Sequence, residues 1–278
     1  MYADLHLHTT HSDGTDTPHE LITLAKTHGI QVISITDHDS VAAHLALANT
    51  PIDGIRIIPG IELSTETDHK MIHILGYYID PTDAKFQRTL QDLCADKTKT
   101  TRINFENARA NKVFDFEWAR VLELNEGQSR ISGVHVLKAM QADGYEMPGM
   151  GLWDMFSAYF WPGNDNYVSG STFTGYDAID IIKANGGIPV IAHPKTIYDD
   201  DTVRDLIRHG AQGIEVFHPK HSTAEVAKYR QIAEDTKIYI SGGTDWHGKN
   251  NNPEVTHFGQ CGLDSAAYLL LGFMEYKE

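Results

Sequence analysis

Cysteine is scarce. The chain has two, Cys94 and Cys261, far apart and in no ligand-type pairing. A disulfide framework is excluded, as expected of a reduced, intracellular protein. Positive charge is also in short supply. Lys and Arg total 23 against 38 Asp and Glu, a net charge of −15 with histidine neutral. Such a surface repels polyphosphate and anionic lipid at long range, which argues against duplex nucleic acid and membranes as partners. An anionic substrate then requires cations at its own site. No apolar run approaches the ~20 residues of a membrane helix. The chain starts directly with Met1-Tyr2-Ala3-Asp4 and shows no secretory signal, so a cytoplasmic location is expected. Internal repeats, low-complexity tracts and a convincing Ser or Cys nucleophile triad are likewise missing.

Against these absences stands an abundance of histidine, sixteen in all, within a composition that is 41% hydrophobic. A chain of 278 residues suits one α/β barrel of ~250 residues. Short apolar runs read as strands at Tyr2–Leu7, Gln31–Thr36, Ile55–Ile58, Met71–Ile79, Ile188–Ala192, Gly213–Phe217 and Lys237–Ser241. Helix starts are marked by Thr17-Pro18-His19-Glu20, by Ser40, by Thr174 with Asp177, and by Ser222 with Glu225. Strand–helix alternation predicts a parallel sheet closed or nearly closed into a barrel, with a doubly wound open sheet as the alternative. Residues 83–173 break the pattern and read as a helical insertion, which leaves residues 1–82 and 174–278 for the barrel domain.

The histidines and acids fall at strand ends. His6 and His8, two apart, share one face of the first strand. Asp37 and His38 end the second, Glu62 follows the third, and His73 lies in the fourth. His193, His218, and the pair Asp245 and His247 end the last three. In a parallel barrel such ends form one mouth. Mixed His, Asp and Glu ligation without thiolate suits Zn²⁺, Mn²⁺ or Fe²⁺.

The motifs Asp4-Leu5-His6-Leu7-His8, Ser12-Asp13-Gly14, Thr36-Asp37-His38-Asp39, Gly60-Ile61-Glu62, Ala192-His193-Pro194 and Gly243-Thr244-Asp245-Trp246-His247-Gly248 resemble those of the PHP (polymerase and histidinol phosphatase) family, in order along nearly the whole chain. The resemblance is best to stand-alone nucleotide phosphatases and exoribonucleases of the AM type. It implies a distorted seven-stranded (βα) barrel with a helical insertion and two to three divalent ions. By motif position His6, His8, Glu62 and Asp245 would hold the first ion. Glu62, His73 and His193 would hold the second, with Glu62 bridging, and Asp13, His38 and His247 the third. Asp4, Asp37 and Asp39 would orient ligand imidazoles. Arg130 would bind the substrate phosphate, and either His218 or His221 would protonate the leaving group. In close relatives a lysine precedes a Tyr-Val pair as a second phosphate contact, whereas here Asn164 stands at that position before Tyr167-Val168.

The expected reaction is hydrolysis of a phosphate ester of a nucleotide or short oligonucleotide end, with a hydroxide shared by two ions attacking phosphorus. The aromatic end of the insertion, Trp153, Phe156, Tyr159, Phe160, Trp161 and Tyr167, offers one or two rings to stack on a base, the rest forming its core. Histidinol phosphate phosphatase, or a non-catalytic metal-binding module, is the alternative.

Overall fold

The computed structural model describes residues 1–145, 151–170, 172–249 and 255–270. Local chemistry sets most of the boundaries. Thr17 and Glu20 close a capping box that starts α1 (Pro18–Thr27) after β1 (Ala3–Leu7). β2 (Val32–Ile35) follows. Then comes α2 (Ala42–Leu47), whose N-cap is Val41 rather than the expected Ser40; Ser40 Oγ accepts from the Ala42 N–H instead. β3 (Arg56–Thr67) runs nine residues past the short apolar run that announced it, and pairs with β4 (Lys70–Tyr77).

The insertion is helical, as expected. It contains α3 (Ala84–Ala110), α4 (Trp118–Leu124), α5 (Gly133–Ala142) and α6 (Leu152–Phe160). The α/β pattern returns with α7 (Gly175–Ala184), β5 (Ile188–Ile191), a 3₁₀ turn (Pro194–Ile197) and α8 (Asp200–His209). It ends with β6 (Gly213–Phe217), α9 (Thr223–Thr236), β7 (Tyr239–Gly242) and α10 (Ser265–Leu270). Thr174 with Asp177 and Ser222 with Glu225 form the two capping boxes read from sequence.

The seven strands lie in sequence order in one sheet. The chain after β7 returns to β1: Asp245 N–H donates to His6 O at 2.9 Å and His8 N–H to Trp246 O at 2.9 Å. The sheet is thereby nearly closed into a barrel. β4 departs from the expected parallel order, since it runs antiparallel to both β3 and β5. The cause is a two-residue turn at Asp68 and His69, both with positive φ (49° and 60°), the conformation that matches a tight hairpin to strand twist. The chain therefore leaves β4 at the face opposite the β3 end, and α3, about 40 Å long, climbs the outside of the barrel. Its first half buries Phe86 and Leu90 in the barrel core. Its second half buries Phe105 and Ala108 in a separate insertion core with Phe114, Trp118, Met140 and Phe160.

Candidate metal centre

β1 is buried along its whole length, with an irregular register between Asp4 and Leu7. Leu5 and Leu7 pack into two different hydrophobic clusters, while the rings of His6 and His8 both reach Glu62 and Asp245. The facing strand comes close because Gly243 carries no side chain; a Cβ there would lie 2.4 Å from the His6 Cβ.

Glu62, fully buried on β3, is the centre of the site. Five imidazoles surround its two oxygens: His6 Nε2 at 3.2 Å, His8 Nε2 at 3.3 Å, His38 Nδ1 at 3.1 Å, His73 Nδ1 at 2.9 Å and His193 Nε2 at 3.0 Å. Asp245 forms a second focus, 3.4 Å from His6 Nε2, 3.2 Å from His8 Nε2 and 3.4 Å from His218 Nε2. Asp13 forms a third, 3.2 Å from His247 Nε2 and 3.8 Å from His38 Nε2.

Ligand-type atoms converge in four groups among the described residues: His6, His8, Glu62 and Asp245; His8, Asp13, His38 and His247; His38, Glu62 and His73; and His6, Glu215 and His218. The first coincides with the expected first set. The second contains the whole expected third set with His8 added. In the third, His38 stands beside Glu62 and His73, while His193 reaches the same carboxylate at the oxygen that His73 also meets.

These side chains fit divalent ions. His6 Nε2, both nitrogens of His8, Asp13 Oδ1, Glu62 Oε2 and His73 Nε2 are buried with no hydrogen-bond partner. Leaving so many polar atoms unsatisfied in one place is costly, and coordination to cations would satisfy them together. The electrostatics agree. Burial opposes charge on His8, but Glu62 and Asp245 push its pKa up to about 10. Burial likewise opposes charge on His6, and Glu62, Glu215 and Asp245 outweigh it. Protons thus occupy these carboxylates' field where cations would compete for it. Burial holds His193 down to about 4, so its lone pair is available at neutral pH.

Asp4, Asp37 and Asp39 play a different part from the one expected, because their hydrogen bonds among the described residues go to backbone amides, hydroxyls and cationic side chains. Asp4 accepts from Thr244 N–H and Oγ1 at 2.9 and 2.7 Å. Asp37 accepts from Thr9 N–H, Thr9 Oγ1 and Ser12 Oγ at 2.6–2.7 Å. Asp39 accepts from Ser64 N–H, from Lys97 Nζ at 2.7 Å and from Arg130 Nη1. They fasten the loops that carry the ligands. The carboxylate that meets an imidazole's far nitrogen is Glu215, 3.0 Å from His6 Nδ1. Burial opposes its charge, but His6 and His218 bring its pKa down to about 2.

Arg130 is at the site, half of a cation pair with Lys97, which the sequence reading missed. Both side chains are nearly buried, at 12% and 13% exposed. The Asn164 position supplies no cation, and its amide bonds Trp161 O. Lys138 and Lys220 add charge at the rim, with Lys138 Nζ donating to Asp13 O at 2.5 Å and Lys220 Nζ 3.7 Å from Asp245.

His218 and His221 separate clearly. His218 Nδ1 accepts from Lys220 N–H at 3.1 Å, which leaves the proton on Nε2 facing Asp245. His221 lies behind it, bonded through Nδ1 to Val216 O and packed on Tyr229.

A cleft opens beside the cation pair, between the β3–β4 hairpin and the insertion. Phe160 and Tyr167 line it, and Tyr167 OH donates to Glu66 at 2.9 Å. Phe156 and Tyr159 are buried in the insertion core and Trp161 packs against it. The Trp153 side chain lies outside the described residues.

Residues 4–148 match the PHP domain family. The chain is 28% identical over 256 residues to phosphoribosyl 1,2-cyclic phosphate 1,2-diphosphodiesterase of Eggerthella lenta, covering 90% of this chain and 95% of the relative. It is 29% identical to 3',5'-nucleoside bisphosphate phosphatase of Chromobacterium violaceum, covering 88% and 86%. With 5'-3' exoribonuclease Rnm of Escherichia coli it shares 31% identity, covering 88% and 84%. A Bifidobacterium adolescentis structure, described as a candidate metal-dependent phosphoesterase, superposes with a TM-score of 0.80 at 26% identity, covering 98% of this chain and 96% of that one.

Proposed function

The chain belongs to the PHP domain family and is a metal-dependent phosphoesterase, and from that premise we propose that it hydrolyses phosphate esters of nucleotides or of short oligonucleotide ends. The observation that carries this reading is the juxtaposition of Glu62, ringed by imidazoles, with the Arg130–Lys97 pair, which lines a cleft between the barrel and the insertion.

His6, His8, Glu62 and Asp245 would hold one divalent ion, Glu62, His73 and His193 a second, and Asp13, His38 and His247 a third. When bound, such ions polarise phosphoryl oxygens and make water nucleophilic at neutral pH. The remaining work falls to the chain's own groups. Asp39 holds the Arg130 guanidinium and the Lys97 ammonium in place before substrate arrives, one carboxylate for two cations. The pair keeps a net positive charge for a phosphate, and the planar guanidinium can grip two of its oxygens. Lys97 takes the part of the second cationic contact that Asn164 does not fill. His218 presents its Nε2 proton toward the Asp245 side of the centre and donates it to the leaving oxygen. Tyr167, half-buried on the wall of the cleft, offers a ring face to a base.

The test is a comparison of kcat/KM at equal metal loading for a nucleoside 3',5'-bisphosphate, a short 5'-phosphorylated oligonucleotide, a ribose cyclic phosphate and histidinol phosphate. A nucleotide substrate should lead. Should histidinol phosphate win by roughly tenfold, ~1.4 kcal/mol of transition-state preference, the nucleotide assignment is wrong.

A further inference from the structure

Glu215 stands in the middle of β6, between Ile214 and Val216, with no exposed surface. A carboxylate so placed must use both oxygens or destabilise the barrel. Both are used, and on different elements. Oε1 faces His6 Nδ1 at 3.0 Å. Oε2 accepts from the backbone N–H of His193 at 2.7 Å. His193 sits in a left-handed backbone conformation, φ 25°, just where β5 ends, and its ring then reaches Glu62. One side chain on a third strand therefore braces two residues whose rings, stacked 5.7 Å apart, reach the two oxygens of Glu62.

We propose that Glu215 is a positioning residue that selects the metal-binding tautomer of His6 and the backbone turn of His193, and so organises two metal positions at once. The inference rests on the reading of His6 and His193 as metal ligands. The backbone amide of His193 can only donate. A carboxylate can only accept, so the proton of the His6 ring stays on Nδ1 and its Nε2 lone pair points at Glu62 and Asp245.

This arrangement makes the isosteric amide a poor substitute. In Glu215→Gln, an amide oxygen turned toward His193 leaves an NH₂ facing His6 Nδ1. The ring must then accept at Nδ1 and carry its proton on Nε2, where it cannot bind metal. With the amide reversed, two donors meet at His193. Glu215→Asp keeps both acceptors on a shorter arm and should recover part of the loss.

Two measurements on the zinc-loaded protein test this. Nitrogen-15 NMR of the histidine rings should show His6 protonated at Nδ1 and metal-bound at Nε2. Chelator competition should show zinc bound about 10–100-fold more weakly by E215Q, with E215D between the two and circular dichroism unchanged. Parent-like zinc affinity in a folded E215Q overturns the proposal. So does a His6 ring unprotonated at Nδ1 in the parent, which decides the matter even if E215Q fails to fold. A parent that binds no zinc, manganese or iron would instead overturn the metal-centre reading beneath it, and this inference with it.

Discussion

A carboxylate offers about four lone-pair directions, yet Glu62 has five ring nitrogens within 3.3 Å. Hydrogen bonding alone does not account for that crowd. Glu62→Gln should therefore abolish turnover, by at least roughly 100-fold, and lower bound metal by elemental analysis; near-normal activity at full metal content would move the bridge elsewhere. Arg130→Ala should raise KM for a phosphate ester and leave metal content alone. Lys97→Met should do the same. Because both share Asp39, the double variant should depart from additivity in kcat/KM, whereas independent effects would place one of them outside the phosphate site. Much of this was legible in the sequence, because a histidine beside an acid at the end of an apolar run has few other uses. Glu215 and Lys97 were not. Glu215 is one polar letter in a short strand whose facing is unknown before the sheet is built. Lys97 differs in no local respect from Lys99, which the same helix turns out to water.

Among the elements, capping chemistry set the helix starts correctly at α1, α7 and α9, since each box satisfies its own backbone donors. The direction of β4 was beyond reach. Alternation reveals a strand but not which way it runs, and Asp68-His69 lacks the Asn-Gly signature of a tight hairpin. β3 was read short because Gly60, Glu62 and Ser64 interrupt its apolar run while pairing regularly with β4. The helix α5 carries a pH dependence of its own. His135 accepts from Ser132 N–H at Nδ1 and faces Ser12 O of the barrel through Nε2, 3.3 Å away. Burial holds its pKa down to about 4. The folded state thus prefers the neutral ring, while an unfolded chain takes up a proton below about 6.5. The stabilisation is complete above about pH 6.5, falls as the pH drops toward 4, and is then exhausted. At pH 5 this group alone should cost about 2 kcal/mol relative to pH 7. Denaturant midpoints at the two pH values should show the drop in the parent and a smaller one in His135→Gln; equal drops would mean that other groups set the slope.

At the scale of the molecule, the net charge of −15 and the cations ringed at one mouth are compatible because the field near the site is local. Unpartnered ligand atoms at the barrel's centre make metal binding a contribution to folding. Stripping metal should lower Tm, and restoring free zinc or manganese to about 100 times its dissociation constant should return about 2.7 kcal/mol per site. A Tm indifferent to chelator would contradict this. Among the described residues no helix is long and apolar enough to cross a membrane. The helix α3 adds something about motion. Since Phe86 and Leu90 belong to one core and Phe105 to the other, and Lys97 sits between them, the insertion cannot swing about a hinge at this junction without breaking the helix. Barrel and insertion are then expected to open together, as one cooperative unit rather than two foldons. Amide hydrogens near Leu90 and near Phe105 should exchange with the same opening free energy, and substrate should enter a cleft already shaped to receive it. Two distinct exchange energies along α3 would restore the independent lobe.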